Sequence, residues 1–217
     1  MVLIFISHSK RDRNLILNVQ TILLNLGHTP IIEEFIPEEE KQPIPHEEIR
    51  NNVRISYSMF LFLTDNILAT EYTRSWVAFE VGLAKDQDKR VFVFERQGVP
   101  IPYPIPYVTD YMLFDPDSIS DLLGIQGVAR KMTPRIPPGA VGAGLGGLVG
   151  SMFGPLGAVL GALGLGWFAQ AAAQPEATMM IKCPYPNCGV DFRYHSPNIP
   201  SFQCPTCRQG IVLTNGR

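Results

Sequence analysis

Short apolar runs with almost no polar interruption constrain this chain most. Val2 to Ser7 (VLIFIS), Tyr57 to Thr64 (YSMFLFLT) and Val91 to Glu95 (VFVFE) are rich in β-branched and aromatic residues. Strands of that kind are hidden on both faces, as in a parallel sheet covered by helices. Between them the period changes. Residues 15, 16, 19, 22, 23 and 26 are apolar at helical spacing, and Gly27 closes that helix. His28 to Glu33 reads as a second strand. A loop from Glu34 to Pro45 then holds three prolines and a Glu-Glu-Glu-Lys run, and Glu47 to Ile55 reads as a short helix. Val91 to Glu95 is the fourth strand, a proline-rich linker crosses Val99 to Pro106, and Val108 to Phe114 with Ser118 to Val128 supplies a last strand and helix. With a helix after the third strand as well, strand and helix are expected to alternate five times. The expected fold is therefore α/β, a flavodoxin-like five-stranded parallel sheet in the order 2-1-3-4-5 with helices on both faces.

In that order a ligand crevice opens at the carboxyl ends of strands 1 and 3, where the winding reverses. Strand 1 delivers Ser7, His8 and Ser9 to it, and strand 3 delivers Thr64 and Asp65. Two readings fit the first loop. Its hydroxyls and free N–H groups can hold a phosphate or ribose, with Lys10 and Arg11 neutralising phosphate charge, or they can form a polar turn that caps the first helix. The helix after strand 3 contains SWVAFEVGLA, residues 75 to 84, in which Glu80 is the single carboxylate among apolar residues. Val77, Val81 and Ala84 mark its buried stripe, Thr70 and Thr73 are candidate N-caps, and the charged run from Lys85 to Arg90 ends it. Trp76 lies four residues before Glu80, one turn away on the same face. A buried acid has to be hydrogen-bonded, shifted in pKa or facing a ligand. Glu80 is thus either a structural acid at a helix flank or a pocket acid, and Trp76 either a stacking surface beside it or a core residue.

FISHSKRDR after the first strand, ISYSMFLFLTDN at the third and SWVAFEVGLA on the next helix resemble the Toll/interleukin-1 receptor (TIR) domain in its prokaryotic form. The resemblance covers about residues 1 to 130. It implies that Glu80 corresponds to the catalytic glutamate of the NAD-cleaving members, that Trp76 is the tryptophan preceding it, and that the loop from Glu34 to Pro45, with Phe35, shapes the pocket and joins neighbouring domains. Phe35 and the acidic run stand where the animal receptors have Arg-Asp-Pro-Gly, a departure that weighs against adaptor-type pairing. The implied substrate is NAD+, held by Ser7, His8, Ser9, Lys10, Phe35 and Trp76. The implied role is defence or stress signalling, antiviral defence included, through NAD loss or a cyclic product, with activity gated by self-association. The chemistry is self-consistent, because an oxocarbenium-like ribose develops as the nicotinamide bond breaks and a nearby carboxylate stabilises it. Nicotinamide leaves neutral, so one carboxylate can suffice where glycoside hydrolysis typically uses two. Two rivals remain open, a non-catalytic TIR scaffold and a nucleoside N-glycosyl transferase.

Beyond residue 130 the composition changes twice. No Lys, Arg, Asp or Glu occurs from Ile136 to Pro175, where Gly142, Gly146, Gly150 and Gly154 stand four apart and Gly157 and Gly161 repeat the spacing. Such a glycine zipper lets helices approach closely, in lipid or in self-association. The expectation is a cytoplasmic TIR domain associated with a membrane through residues 139–173, as a hairpin or a single span, with Arg130, Lys131 and Arg135 on its near flank. A flexible linker or a buried helix pair is the alternative. The tail holds all four cysteines, Cys183, Cys188, Cys204 and Cys207, in two knuckles suited to structural zinc. Such a tail resembles a zinc ribbon, with disulfides as the alternative in an oxidising compartment. His195 reads as a loop residue because four thiolates already fill a zinc shell. The expected divisions are a TIR domain at 1–130, the glycine-rich segment at 136–175 and the ribbon at 180–215. A net charge of -2 gives no reason to expect nucleic acid.

Overall fold

A computed structural model describes residues 1–32, 46–98, 101–132, 178–196 and 198–213. Its first part contains β1 (Leu3–Ser7), α1 (Arg13–Asn25), β2 (Thr29–Ile32), α2 (His46–Ile55) and β3 (Ser58–Leu63). Then come α3 (Glu71–Asp86), β4 (Arg90–Arg96), β5 (Asp110–Phe114) and α4 (Ile119–Arg130). The tail adds β6 (Met179–Lys182), β7 (Asp191–Tyr194), β8 (Ser201–Gln203) and β9 (Gly210–Val212). Local signals set the helix ends. Thr70 caps α3 by accepting from the Thr73 N–H at 3.1 Å. After α1, Gly27 sits at φ 75°, with its own N–H on Leu24 and that of His28 on Leu23, both at 2.9 Å. That pattern is a Schellman motif, which needs a left-handed residue at this point.

The sheet runs β2-β1-β3-β4-β5-β7-β6, and β8 and β9 form a separate antiparallel pair. The 2-1-3-4-5 order is there and every pairing within it is parallel, as expected of strands buried on both faces. Two features differ from the sequence reading. The described residues between β4 and β5 form no helix, so strand and helix do not alternate five times. The tail also joins the sheet, with β7 parallel to β5 and β6 antiparallel to β7.

Pleat parity divides the core. Ile4, Ile6, Phe60, Phe62, Phe92 and Phe94 face α1 and α4, whereas Phe5, Met59, Leu61, Leu63, Val91 and Val93 face α2 and α3. Among the described residues no helix lies between β4 and β5 to cover β5 on that second face. Phe192, Tyr194, Phe202 and Ile211 from the tail and Ile101 and Ile105 from the β4–β5 connection fill the gap around Tyr111. Tyr194 and Phe202 stack at 4.2 Å, and Tyr111 lies 5.7 Å from Phe202. The tail thus takes the place of a missing crossover helix.

The expected membrane association requires correction. Among the described residues no helix is long and apolar enough to cross a membrane, and residues 139–173 lie outside the described residues.

Candidate functional site

Ser7 ends β1 with the same parity as Phe5, so its side chain faces α3. There its hydroxyl donates to Glu80 Oε2 at 2.5 Å, joining residues 73 positions apart. Both side chains are buried, each in a residue only 2% exposed. Strand 1 and the helix after strand 3 therefore converge at the switch point. His8 follows, also buried. Burial lowers its pKa to about 4, so the ring is neutral at pH 7. Among the described residues its buried Nδ1 has no hydrogen-bond partner. Ser9 accepts from the Arg11 N–H at 3.4 Å and caps a short 3-10 turn ahead of α1, while Lys10 and Arg11 are exposed. Phe35 lies outside the described residues.

Trp76 is half-buried at the edge of the core. Its indole stacks on His46 at 5.0 Å and meets Phe79 and Tyr72 edge-on at 5.6 and 5.9 Å. These rings bridge the start of α2 and the outer side of α3.

One acid at this end escaped sequence reasoning. Asp12 is 8% exposed and accepts from Thr64 Oγ1 at 2.7 Å and Asn66 Nδ2 at 2.6 Å, tying the exits of β1 and β3 together. Burial raises its pKa against the pull of those donors. Asp12 looked like one charge among many in SKRDRN; its place beside the switch point was the available signal. The nearby Asp65–Arg96 pair, at 3.2 Å, is exposed on both sides and contributes little.

The four cysteine Sγ atoms lie within 4.8 Å of one another and none is in a disulfide. Cys183 and Cys207 are 3.7 Å apart and Cys188 and Cys204 3.8 Å. A tetrahedron with metal–sulfur bonds of about 2.3 Å has edges of about 3.8 Å, so the cluster fits a tetrahedral ion such as zinc, and bonded sulfurs would lie at about 2.05 Å. Burial raises the thiol pKa values of Cys183 and Cys204, so a metal has to displace their protons to bind.

Two buried acids fasten this tail to the sheet. At the amino end of β5, Asp110 accepts from Arg193 Nε and His195 Nε2 at 2.9 Å each, from Arg90 at 3.1 Å and from Thr109 Oγ1 at 2.9 Å. Burial alone would raise its pKa, but the His195 bond, the Arg90 charge and the other donors outweigh burial and bring it to about 2. His195 lies just after β7, outside the cysteine cluster, as a buried partner of Asp110. At the carboxyl end of β4, Glu95 accepts from Arg208 Nη1 at 2.6 Å and from the Tyr111 hydroxyl at 3.1 Å. Burial keeps its carboxyl above the ordinary range even beside Arg208.

No protein-family model matches the sequence and no curated protein does. The chain is similar to a prokaryotic SEFIR domain. That domain shares 14% identity with it, covering 65% of this chain and 100% of the other at a TM-score of 0.38. The chemical reading of Ser7, Glu80 and the cysteines stands on their geometry.

Proposed function

We propose that this chain cleaves the nicotinamide–ribose bond of NAD+ and that Glu80 stabilises the ribose as positive charge develops on it. The observation that carries the reading is the Ser7–Glu80 contact of 2.5 Å, which sets a carboxyl group at the switch point between β1 and β3. Neutral His8 adds no positive charge there to oppose the pyridinium of the substrate. Lys10 and Arg11, exposed on the loop after β1, supply donors for phosphate oxygens. Attack by water gives ADP-ribose, and attack by the adenine or a ribose hydroxyl gives a cyclic ADP-ribose. Self-association gates the activity, in defence or stress signalling. Cys183, Cys188, Cys204 and Cys207 hold zinc; four thiolates close its shell, so the ion cross-links the tail and takes no part in bond cleavage.

A second reading has its own support. Glu80 is only 2% exposed and bonded to Ser7, as suits a tie between α3 and β1 in a non-catalytic interaction domain. NAD+ turnover by the intact protein and by Glu80→Gln, measured at concentrations that drive self-association, separates the two. Glutamine keeps an oxygen for Ser7, so the variant should fold and lose turnover. Unchanged turnover in Glu80→Gln, or none in the native protein when clustered, rejects the catalytic reading. Cleavage of a plain nucleoside in preference to NAD+ would point instead to N-glycosyl transfer.

A further inference from the structure

The two cysteine knuckles differ at one matching position. In CPYPNCG the residue after the second cysteine is Gly189, at φ 57°, whereas in CPTCR it is Arg208, at φ 61°. Glycine is at ease in that left-handed conformation and arginine is strained. The compensation lies outside the knuckle. Arg208 Nη1 reaches Glu95, 113 positions away, at 2.6 Å, with the two side chains 11% and 4% exposed. Its Nε and Nη2 both donate to the Tyr103 carbonyl, the former at 2.7 Å. Pro205, within the same knuckle, accepts from the Ile105 N–H at 2.8 Å. Tyr103 in turn donates its phenol to the Arg74 carbonyl of α3 at 2.6 Å, on the helix that carries Glu80. An unbroken set of contacts therefore runs from Cys204 and Cys207 through Arg208 and Tyr103 to α3.

We propose that a metal held by the four cysteines controls the Glu80 site by fixing Arg208 on Glu95 and Tyr103. The strands of the β8–β9 pair are only three residues long each, too little to stand without a cross-link. When the metal leaves, the strained turn at Arg208 relaxes and its guanidinium withdraws. Glu95 is then buried without its cation, a costly state, and Tyr103 no longer braces α3. Metal supply thereby switches the crevice between an ordered and a loosened form. Arg208 is a positioning residue that never meets substrate. The activity arm of the test rests on the proposed NAD+ cleavage; the structural arm does not.

The test uses the full chain, zinc-loaded, chelator-stripped and reloaded with zinc chloride. It compares the native protein with Arg208→Gly, Arg208→Lys and the double variant Arg208→Gly with Glu95→Gln. Zinc content, amide hydrogen exchange and NAD+ turnover are read on each. Arg208→Gly should keep about one zinc per chain while exchange at 101–108 and in the first half of α3 rises roughly tenfold or more, and turnover should fall. Stripping zinc from the native protein should give the same exchange pattern, and reloading should reverse it. Arg208→Lys, which keeps the charge and loses the fork, should fall between, and Glu95→Gln should restore part of the protection. Unchanged or slower exchange in Arg208→Gly would make Arg208 a turn residue only. Zinc removal that loosens 178–213 and leaves α3 as protected as before would also overturn the proposal. Coupled exchange in a protein that never turns over NAD+ would keep the link and reject the catalytic reading alone.

Discussion

Replacing Asp110 with asparagine tests how the tail is held. The carboxylate is 1% exposed and receives Arg90, Arg193, His195 and Thr109. A fall in its pKa from 3.8 to about 2 is worth about 2 kcal/mol at neutral pH, since each pH unit of difference is about 1.4 kcal/mol. Asparagine removes that contribution and leaves the cations without a counter-charge. Breaking one side of a buried pair costs about 3–5 kcal/mol, but the Arg90 and Arg193 side chains are 34% and 41% exposed, and water offsets part of the loss. We expect a loss of about 2–3 kcal/mol at pH 7, which for a chain of this size lowers Tm by about 4–12 °C. The pH dependence has a definite sign. Because the folded pKa is depressed, the stabilisation is fully present above the unfolded value of 3.8 and is lost as pH falls toward about 2. Urea midpoints of the native protein and Asp110→Asn, compared at pH 7, 5 and 3, should differ most at the higher pH values and about half as much at pH 3. Equal stability at pH 7, or a difference that does not shrink by pH 3, would refute the argument.

Other consequences follow from the same geometry. His8 has a folded pKa of about 4 against an ordinary 6.5, so acid penalises the fold. Stability is complete above about pH 6.5 and falls by about 3 kcal/mol as pH drops through 4. His8→Leu should abolish that slope in urea midpoints between pH 7 and 4; an unchanged slope would show that the loss arises elsewhere. Cys188→Ser removes one of four thiolates and should weaken zinc binding by orders of magnitude in chelator competition, with a lower melting point. Equal melting of zinc-loaded and zinc-stripped native protein would contradict that expectation.

Most of the first sheet was legible from the sequence because its strands are continuous apolar runs, and the parallel order follows from their burial on both faces. The approach of Ser7 to Glu80 was legible too, since the switch point is a property of topology. The tail's place in the sheet was not. Asp191–Tyr194 reads DFRY, an alternation too short to name a partner strand, and β-pairing across a long interval leaves no local period. The missed signals were charges on apolar strands. Asp110 and Glu95 interrupt or end runs that are otherwise buried, and an acid in that position requires a donor from elsewhere. Arg193, His195 and Arg208 are those donors, yet each looks like surface punctuation in the tail. The same holds for Asp12, hidden in a polar run whose neighbours are exposed.

The parallel pairing of β7 with β5 bears on how the chain emerges from the ribosome. Asp110 and its partner Arg193 are 83 residues apart. At about 5–20 residues per second, roughly 4–17 s separates the synthesis of the two. Throughout that interval the β5 edge of a nascent sheet lacks its β7 partner, and Tyr111 lacks Phe192, Tyr194 and Phe202. Within the intervening stretch, residues 136–175 are glycine-rich and carry no Lys, Arg, Asp or Glu to repel a neighbouring chain. Premature edge-to-edge association is therefore the characteristic hazard of this fold, and the arrival of β7 ends it.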